Sequence, residues 1–130
     1  MAYQEGVLLR NAVLNAKATN LGAAATLKVF SGAEPANCAA ADPAGLLATM
    51  NLPATPFAAA SGGVMNFSGT WSTTASAGAP TNAASFRVYD SSANCAMQGN
   101  VTTDLVLNNV SIATGQTVTV TQYTLTAGNP

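Results

Sequence analysis

The segment Thr117–Thr126, TVTVTQYTLT, alternates threonine with apolar residues, and this alternation predicts a long β-strand. Val118 and Val120 share one face of an ideal strand, whereas Tyr123 and Leu125 fall on the opposite face. A β-bulge in the two residues between these pairs would bring all four apolar side chains to the core side. Without such a bulge, the strand has to be buried on both faces.

Shorter apolar segments precede this strand, and residues typical of turns separate them. The predicted strands are Thr26–Phe30, Leu46–Leu52, Gly63–Gly69, Thr70–Ser76, Ala84–Tyr89, Cys95–Thr102 and two short strands within Asp104–Ile112. Residues 84–102 predict a β-hairpin, because the intervening Asp90–Asn94 consists of small polar residues that bond the local backbone. Stretches of Ala, Ser, Thr and Gly, such as residues 53–63 and 73–84, predict loops.

One helix is predicted, over residues 4–21, because this stretch lacks proline and ends at Gly22. Its apolar residues form two stripes rather than one. The first stripe contains Val7, Leu14, Ala18 and Leu21, and the second contains Leu9, Ala12, Val13 and Ala16. The pattern therefore predicts a helix that packs on two sides and shows a narrow basic stripe, Arg10 and Lys17, between them.

These elements predict a mainly β protein with one N-terminal α-helix. The expected architecture is an antiparallel β-sandwich, jelly-roll-like, or a barrel. We expect a single domain over residues 1–130, in which the β-domain occupies about 25–127, because neither an internal repeat nor a composition break divides the sequence.

The sequence carries very little charge. It contains four Lys or Arg and five Asp or Glu among 130 residues, with no His and a net charge of −1, whereas about a quarter of the residues of a typical domain are charged. No charged residue lies between Pro43 and Phe86. Little charge also leaves sheet edges open to pairing. We therefore expect surfaces of this protein to be covered by other protein molecules, including copies of itself in a dimer or trimer.

The same composition argues against several functions. Nucleophilic catalysis needs a base, usually His, and the five acidic residues are scattered over predicted turns and the N-terminal region, so we expect no enzyme activity. No ligand set for a metal or motif for a cofactor is present. Four separated basic residues do not predict a nucleic-acid surface. No stretch predicts a membrane span or a secretion signal, and synthesis in a cytoplasm is expected.

Two cysteines occur in matching contexts, Asn37-Cys38-Ala39 and Asn94-Cys95-Ala96. They allow a disulfide between two loops, with about 3–4 kcal/mol of stabilisation from the long ring that it closes. The alternative is a pair of free thiols, which a reducing cytoplasm favours. We expect free thiols on that ground.

Four further residues are candidate contact residues for a partner: Tyr3, Arg10, Lys17 and Arg87. Arg87 alternates with Phe86 and Val88 in a predicted strand, so it could pair with a carboxylate of a partner. The simpler interpretation, which we prefer, is a strand residue that faces outward into solvent. Arg10 and Lys17 are likewise interpreted as solvated cations on the helix.

Two stretches, FRVYDSSANCAMQGNV and LVLNNVSIATGQTVTVTQYTLTAGN, together with the helical start LLRNAVLNAK, resemble the decoration or cement proteins of tailed-bacteriophage capsids. The resemblance spans nearly the whole sequence. It implies a β-rich protein without catalytic activity on the surface of the virion, bound over contacts between subunits of the major capsid protein. It implies no particular contact residues.

Two alternatives remain open at this point. Related small β-proteins also occur in phage tails, so a tail or baseplate subunit is the first. The second is a carbohydrate-binding β-sandwich used for adhesion to host cells, for which Trp71, Tyr89 and Tyr123 are the candidate stacking residues. Sugar-binding aromatic side chains have to be exposed, so their burial decides this alternative.

Overall fold

A computed structural model describes residues 3–79 and 81–127, so both ends of the predicted domain lie outside the described residues. It contains one helix, α1 (Val7–Leu21), followed by β-strands that pair antiparallel. The strands are β1 (Thr26–Phe30), β2 (Leu46–Asn51), β3 (Val64–Asn66), β4 (Ser72–Thr74), β5 (Thr81–Asn82), β6 (Ser85–Tyr89), β7 (Cys95–Asn100), β8 (Leu105–Leu107), β9 (Ser111–Ile112) and β10 (Thr117–Thr126). The predicted mainly β, sandwich-like fold with an N-terminal helix is confirmed.

The strands form two larger sheets and one small pair. The first sheet has the order β2-β1-β6-β7, and it includes the predicted hairpin of β6 and β7. In the second sheet, β10 pairs with β3, β4 and β8 along different parts of its length. The short strands β5 and β9 pair with each other. Backbone N–H groups of Ser76 and Ala77 donate to the Leu47 carbonyl, which links the chain after β4 to edge strand β2 of the first sheet.

Of the two alternatives for β10, a β-bulge or burial on both faces, the bulge is present. The pairing of β10 with β8 shifts register between Val120 and Gln122. As a result, Val118, Val120 and Tyr123 are all buried, and Leu125 is half-buried against the same core. The shift restores the side-chain parity that a regular strand would have lost.

Aromatic side chains form the centre of the core. The Trp71 ring, fully buried, contacts Phe57 and Phe67 edge-on at 5.4 Å between ring centroids, and Tyr123 at 5.9 Å. Its indole N–H donates to the Ser68 carbonyl at 3.1 Å, so the polar atom of this large side chain is satisfied. Around this cluster the core extends to inward-facing residues of the first sheet and to the helix.

The helix packs on one side only, which corrects the predicted two-sided packing. Leu14 and Leu21 of the first stripe are buried, whereas all four members of the second stripe face solvent. The helix also begins at Val7 rather than at residue 4, with Gly6 in an extended conformation at its N-cap. The helix therefore meets the sheets along one side, and its second apolar stripe is left exposed on the described chain.

Candidate interaction surface

The described residues expose an apolar surface that is concentrated at the N-terminal end of the chain. Leu8 is 82% exposed and Leu9 51%, the highest values for leucine in the described chain, and three more exposed apolar residues lie within the first 13 residues. Together this N-terminal apolar surface comprises Tyr3, Val7, Leu8, Leu9 and Val13. Leu9 and Val13 are four positions apart and so share one helix face. Exposed apolar patches usually mark a protein interface, because their exposure to water costs free energy.

Hydrogen bonds of polar side chains on the helix explain why its second apolar stripe faces outward. The guanidinium of Arg10 donates to the Ala127 carbonyl at 3.1 Å. The Asn11 side-chain carbonyl accepts from the Gly63 N–H at 2.8 Å, and that of Asn15 accepts from the Ala60 N–H at 3.0 Å. These side chains attach α1 to the loop before β3 and to the end of β10. The hydrogen bonds fix the rotation of the helix, and the second apolar stripe is left outside.

Gly63 permits this attachment. Its backbone has a φ of +74°, and a Cβ at this position would meet the Arg10 guanidinium at 2.4–2.8 Å. The backbone conformation therefore favours glycine here, and any larger residue would also displace the Arg10 guanidinium. Arg10 is half-buried and bonded within the chain, so the predicted solvated cation is corrected for this residue, while Lys17 is exposed as expected. The ring of Tyr3 is exposed, and its hydroxyl donates to Glu5 at 3.3 Å.

An open groove adjoins the second stripe. It lies between α1 and edge strand β7, has a volume of about 490 Å³ and is mainly apolar. The helix contributes Val13, Ala16 and the stem of Lys17, and β7 contributes Ala96 and Met97. The groove therefore continues the apolar stripe from the helix onto the sheet edge.

Arg87 lies on the outer face of its strand as predicted, but the expectation that it faces solvent is wrong. Its side chain is 2% exposed, because the loop of residues 31–45 folds back over the outer face of the first sheet. The guanidinium donates to Asp42 at 2.9 Å and to the carbonyls of Ala40 and Asn37 at 3.0 and 3.1 Å. A fourth bond reaches the Gln98 side chain at 3.2 Å. Arg87 thus pairs with a carboxylate of its own chain and holds the loop on the sheet.

Tyr89 and Lys28 complete this cluster. The Tyr89 hydroxyl donates a short hydrogen bond to Asp42, and the Lys28 ammonium lies 5.0 Å from the Tyr89 ring centroid. The bond from Tyr89, and then that from Arg87, lowers the pKa of Asp42, whereas burial and the bond to Asp42 raise the pKa of Tyr89 to about 12. Lys28 and Arg87 are direct cross-strand neighbours. Asp42 therefore supplies the negative charge that offsets two adjacent cations.

We expect Asp42→Asn to lower stability by about 1–2 kcal/mol, less than loss of a fully buried partner would, because the carboxylate is 44% exposed. Folding lowers the pKa of Asp42 below its ordinary value of 3.8. The stability that the ionised carboxylate contributes is therefore fully present above pH 3.8, and it is lost as the pH falls through the lower pKa of the folded protein. Urea unfolding at a series of pH values should therefore show wild type and variant converging in acid. A difference that stays constant across this range would contradict the assignment.

Cys38 and Cys95 form a disulfide, with their Cα atoms 5.4 Å apart, so the expectation of free thiols is wrong. Cys38 lies in the loop of residues 31–45, and Cys95 begins β7 beneath it. The bond lies beside Asn37, whose carbonyl Arg87 also binds. The disulfide and the Arg87 hydrogen bonds therefore both hold this loop against the sheet.

The aromatic residues proposed for sugar stacking are buried: Trp71 is 0%, Tyr89 7% and Tyr123 4% exposed. None of the three offers a ring face to a sugar. Within residues 3–79 and 81–127, no group of three or more His, Cys, Asp or Glu side chains is placed to hold a metal ion. In the same part of the chain, no helix combines the length and apolar character needed to cross a membrane.

Comparison of the chain with models of known protein families, with curated proteins and with solved structures finds no match. The outward apolar stripe, the groove and the loop cluster are therefore interpreted from their own chemistry. The stripe is recognisable in the sequence, where the pattern predicts packing on both sides of the helix, but nothing in the sequence indicates that Asp42 is a partner of Arg87. The available signal for the stripe was a helix with apolar residues on every side and no second predicted helix to cover it.

Proposed function

We propose that this protein is a structural protein of a bacteriophage particle, a decoration protein that binds the outer surface of the head and bridges subunits of the major capsid protein. The observation that carries the proposal is the N-terminal apolar surface on a chain with only nine charged residues. Such a surface is typical of a protein that functions within an assembly, where other protein molecules cover its exposed apolar residues. The resemblance of the sequence to capsid decoration proteins supports the same role.

Bridging requires binding free energy rather than chemistry. A specific contact buries about 1,600 Å² in total, and many copies on a regular shell multiply the stabilisation. The buried core and the loop that is held by a disulfide and by hydrogen bonds favour a rigid protein, which suits a structural role in a shell under mechanical stress. The bridging protein would resist separation of neighbouring capsid subunits when the packaged DNA presses outward.

The first test is the copy number of the protein in purified virions, measured by quantitative mass spectrometry. We expect a ratio to the major capsid protein of one, or a simple fraction of it. A few copies per particle would instead indicate the tail or baseplate subunit, and complete absence from particles would overturn the proposal.

The contribution of the N-terminal apolar surface is tested by Leu8→Asp, which places a charge at its most exposed leucine. We expect this variant to bind purified, undecorated capsids at least about tenfold more weakly, because the carboxylate would have to be desolvated. Val110→Asp is the matched control, since Val110 is also exposed, at 38%, but lies in the loop between β8 and β9. Equal binding of both variants and wild type would exclude this surface as the capsid contact.

A further inference from the structure

The second stripe of α1, formed by Leu9, Ala12, Val13 and Ala16, is complementary to itself. These residues are three and four positions apart, so they share one helix face, and all four are exposed. A two-fold axis near Ala12 and Val13 would place a second copy of the helix antiparallel to the first. Leu9 would then lie opposite Ala16 of the second copy, and Val13 opposite Ala12.

This arrangement sets a large residue against a small one at each position, which is the pattern that well-packed faces use. Its ends also fit the groove between α1 and β7. Leu9 of one copy would enter the groove of the other where Val13 and Ala16 line it, and the groove continues to Met97. By symmetry, Leu9 of the second copy enters the groove of the first, so the pairing covers the Leu9 side chains of both copies.

Charge does not oppose this contact. No charged residue belongs to the stripe, and Arg10 is turned toward the Ala127 carbonyl, away from it. Lys17 borders the groove, where its aliphatic stem can cover the incoming leucine while its ammonium stays in water. A net charge of −1 adds little repulsion between copies.

We propose that α1 is a self-association surface, and that two copies of this chain pair through antiparallel α1 helices with each Leu9 in the groove of the other. The inference rests on the proposed structural role, because it names the occupant of part of the same exposed surface. The helix has 15 residues, so one of its faces is about 22 Å long and about 10 Å wide, which is smaller than the ~800 Å² per partner of a stable complex. We therefore expect a Kd of about 0.1–1 mM in solution, and much firmer pairing between copies held side by side on a shell.

The test is a dilution series of the full chain from about 2 mM to about 0.05 mM, followed by amide NMR shifts and by sedimentation. We expect concentration-dependent shifts confined to residues 9–16 and 96–97. Leu9→Asp should weaken association by about tenfold or more. Leu8→Asp is the matched control: Leu8 is more exposed than Leu9 but lies outside the stripe, so this variant should associate like wild type.

Two results would overturn the pairing: shifts that do not depend on concentration, or equal effects of the two aspartate variants, which would indicate unspecific hydrophobic association. Circular dichroism of each variant verifies that it remains folded. A chain that stays monomeric in solution and yet is present at the expected copy number in virions would remove the pairing and leave the proposed function. A chain that dimerises in solution but is absent from virions would overturn the proposed function and leave the pairing.

Discussion

Removing the Cys38–Cys95 disulfide is expected to lower the free energy of unfolding by about 4 kcal/mol, because the bond joins residues 57 positions apart and restricts the unfolded chain. Domains of this size are stable by about 5–15 kcal/mol, so the loss is a large part of the total. The measurement is the urea midpoint of wild type with and without reductant, compared with Cys38→Ser/Cys95→Ser. The double variant serves as the control, since reductant should leave its midpoint unchanged.

The location of the effect is also predicted. The amides of Ala39 and Ala40 donate to the Asn37 side chain within the loop of residues 31–45, at 2.9 and 3.1 Å. They should exchange with solvent faster after reduction, whereas the amides of β1 and β6 should keep their protection under native conditions. Equal midpoints in the oxidised and reduced states would contradict the stabilising role of the bond.

Several elements could be predicted from the sequence because local pattern determines them. Strand β1 was predicted with its observed ends, since alternation and a following Ser31-Gly32 define it. Side-chain parity in β10 leaves two alternatives, a bulge or burial on both faces, and the structure contains the bulge. Strand β5 was missed: Thr81–Asn82 lies in a stretch predicted as loop, and its pairing with β9 uses backbone groups that leave no pattern in the side chains.

The errors share a different cause, because each depends on contacts between distant parts of the chain. Alternation correctly placed Arg87 on the outer face of its strand, but nothing local indicates that the preceding loop of residues 31–45 covers that face. The cysteines were judged by compartment, whereas their pairing follows from the same loop. The second stripe of α1 was assigned to the core because a sequence pattern does not count the neighbours that a helix will meet.

Arg87→Met is expected to lower the free energy of unfolding by about 3 kcal/mol, because it removes four hydrogen bonds at a buried position, among them the ion pair with Asp42. Lys28→Met is the matched control. Lys28 lies directly across from Arg87 on the same face, but it is half-buried and its ammonium contacts the Tyr89 ring, so we expect a loss below about 1 kcal/mol. Equal losses for the two variants would mean that the loop contacts of Arg87 contribute nothing specific.

The same variant should also weaken the disulfide. The Arg87 bonds to Asn37 and Ala40 hold the loop on either side of Cys38, so they keep this thiol close to Cys95 in the reduced protein. By linkage, whatever favours the closed loop also favours the bond that forms in it. In equilibrium with glutathione, Arg87→Met should therefore shift the constant for disulfide formation about tenfold toward the thiols, while Lys28→Met leaves it unchanged. An unchanged equilibrium constant for disulfide formation would show that the Arg87 hydrogen bonds and the disulfide stabilise the loop independently.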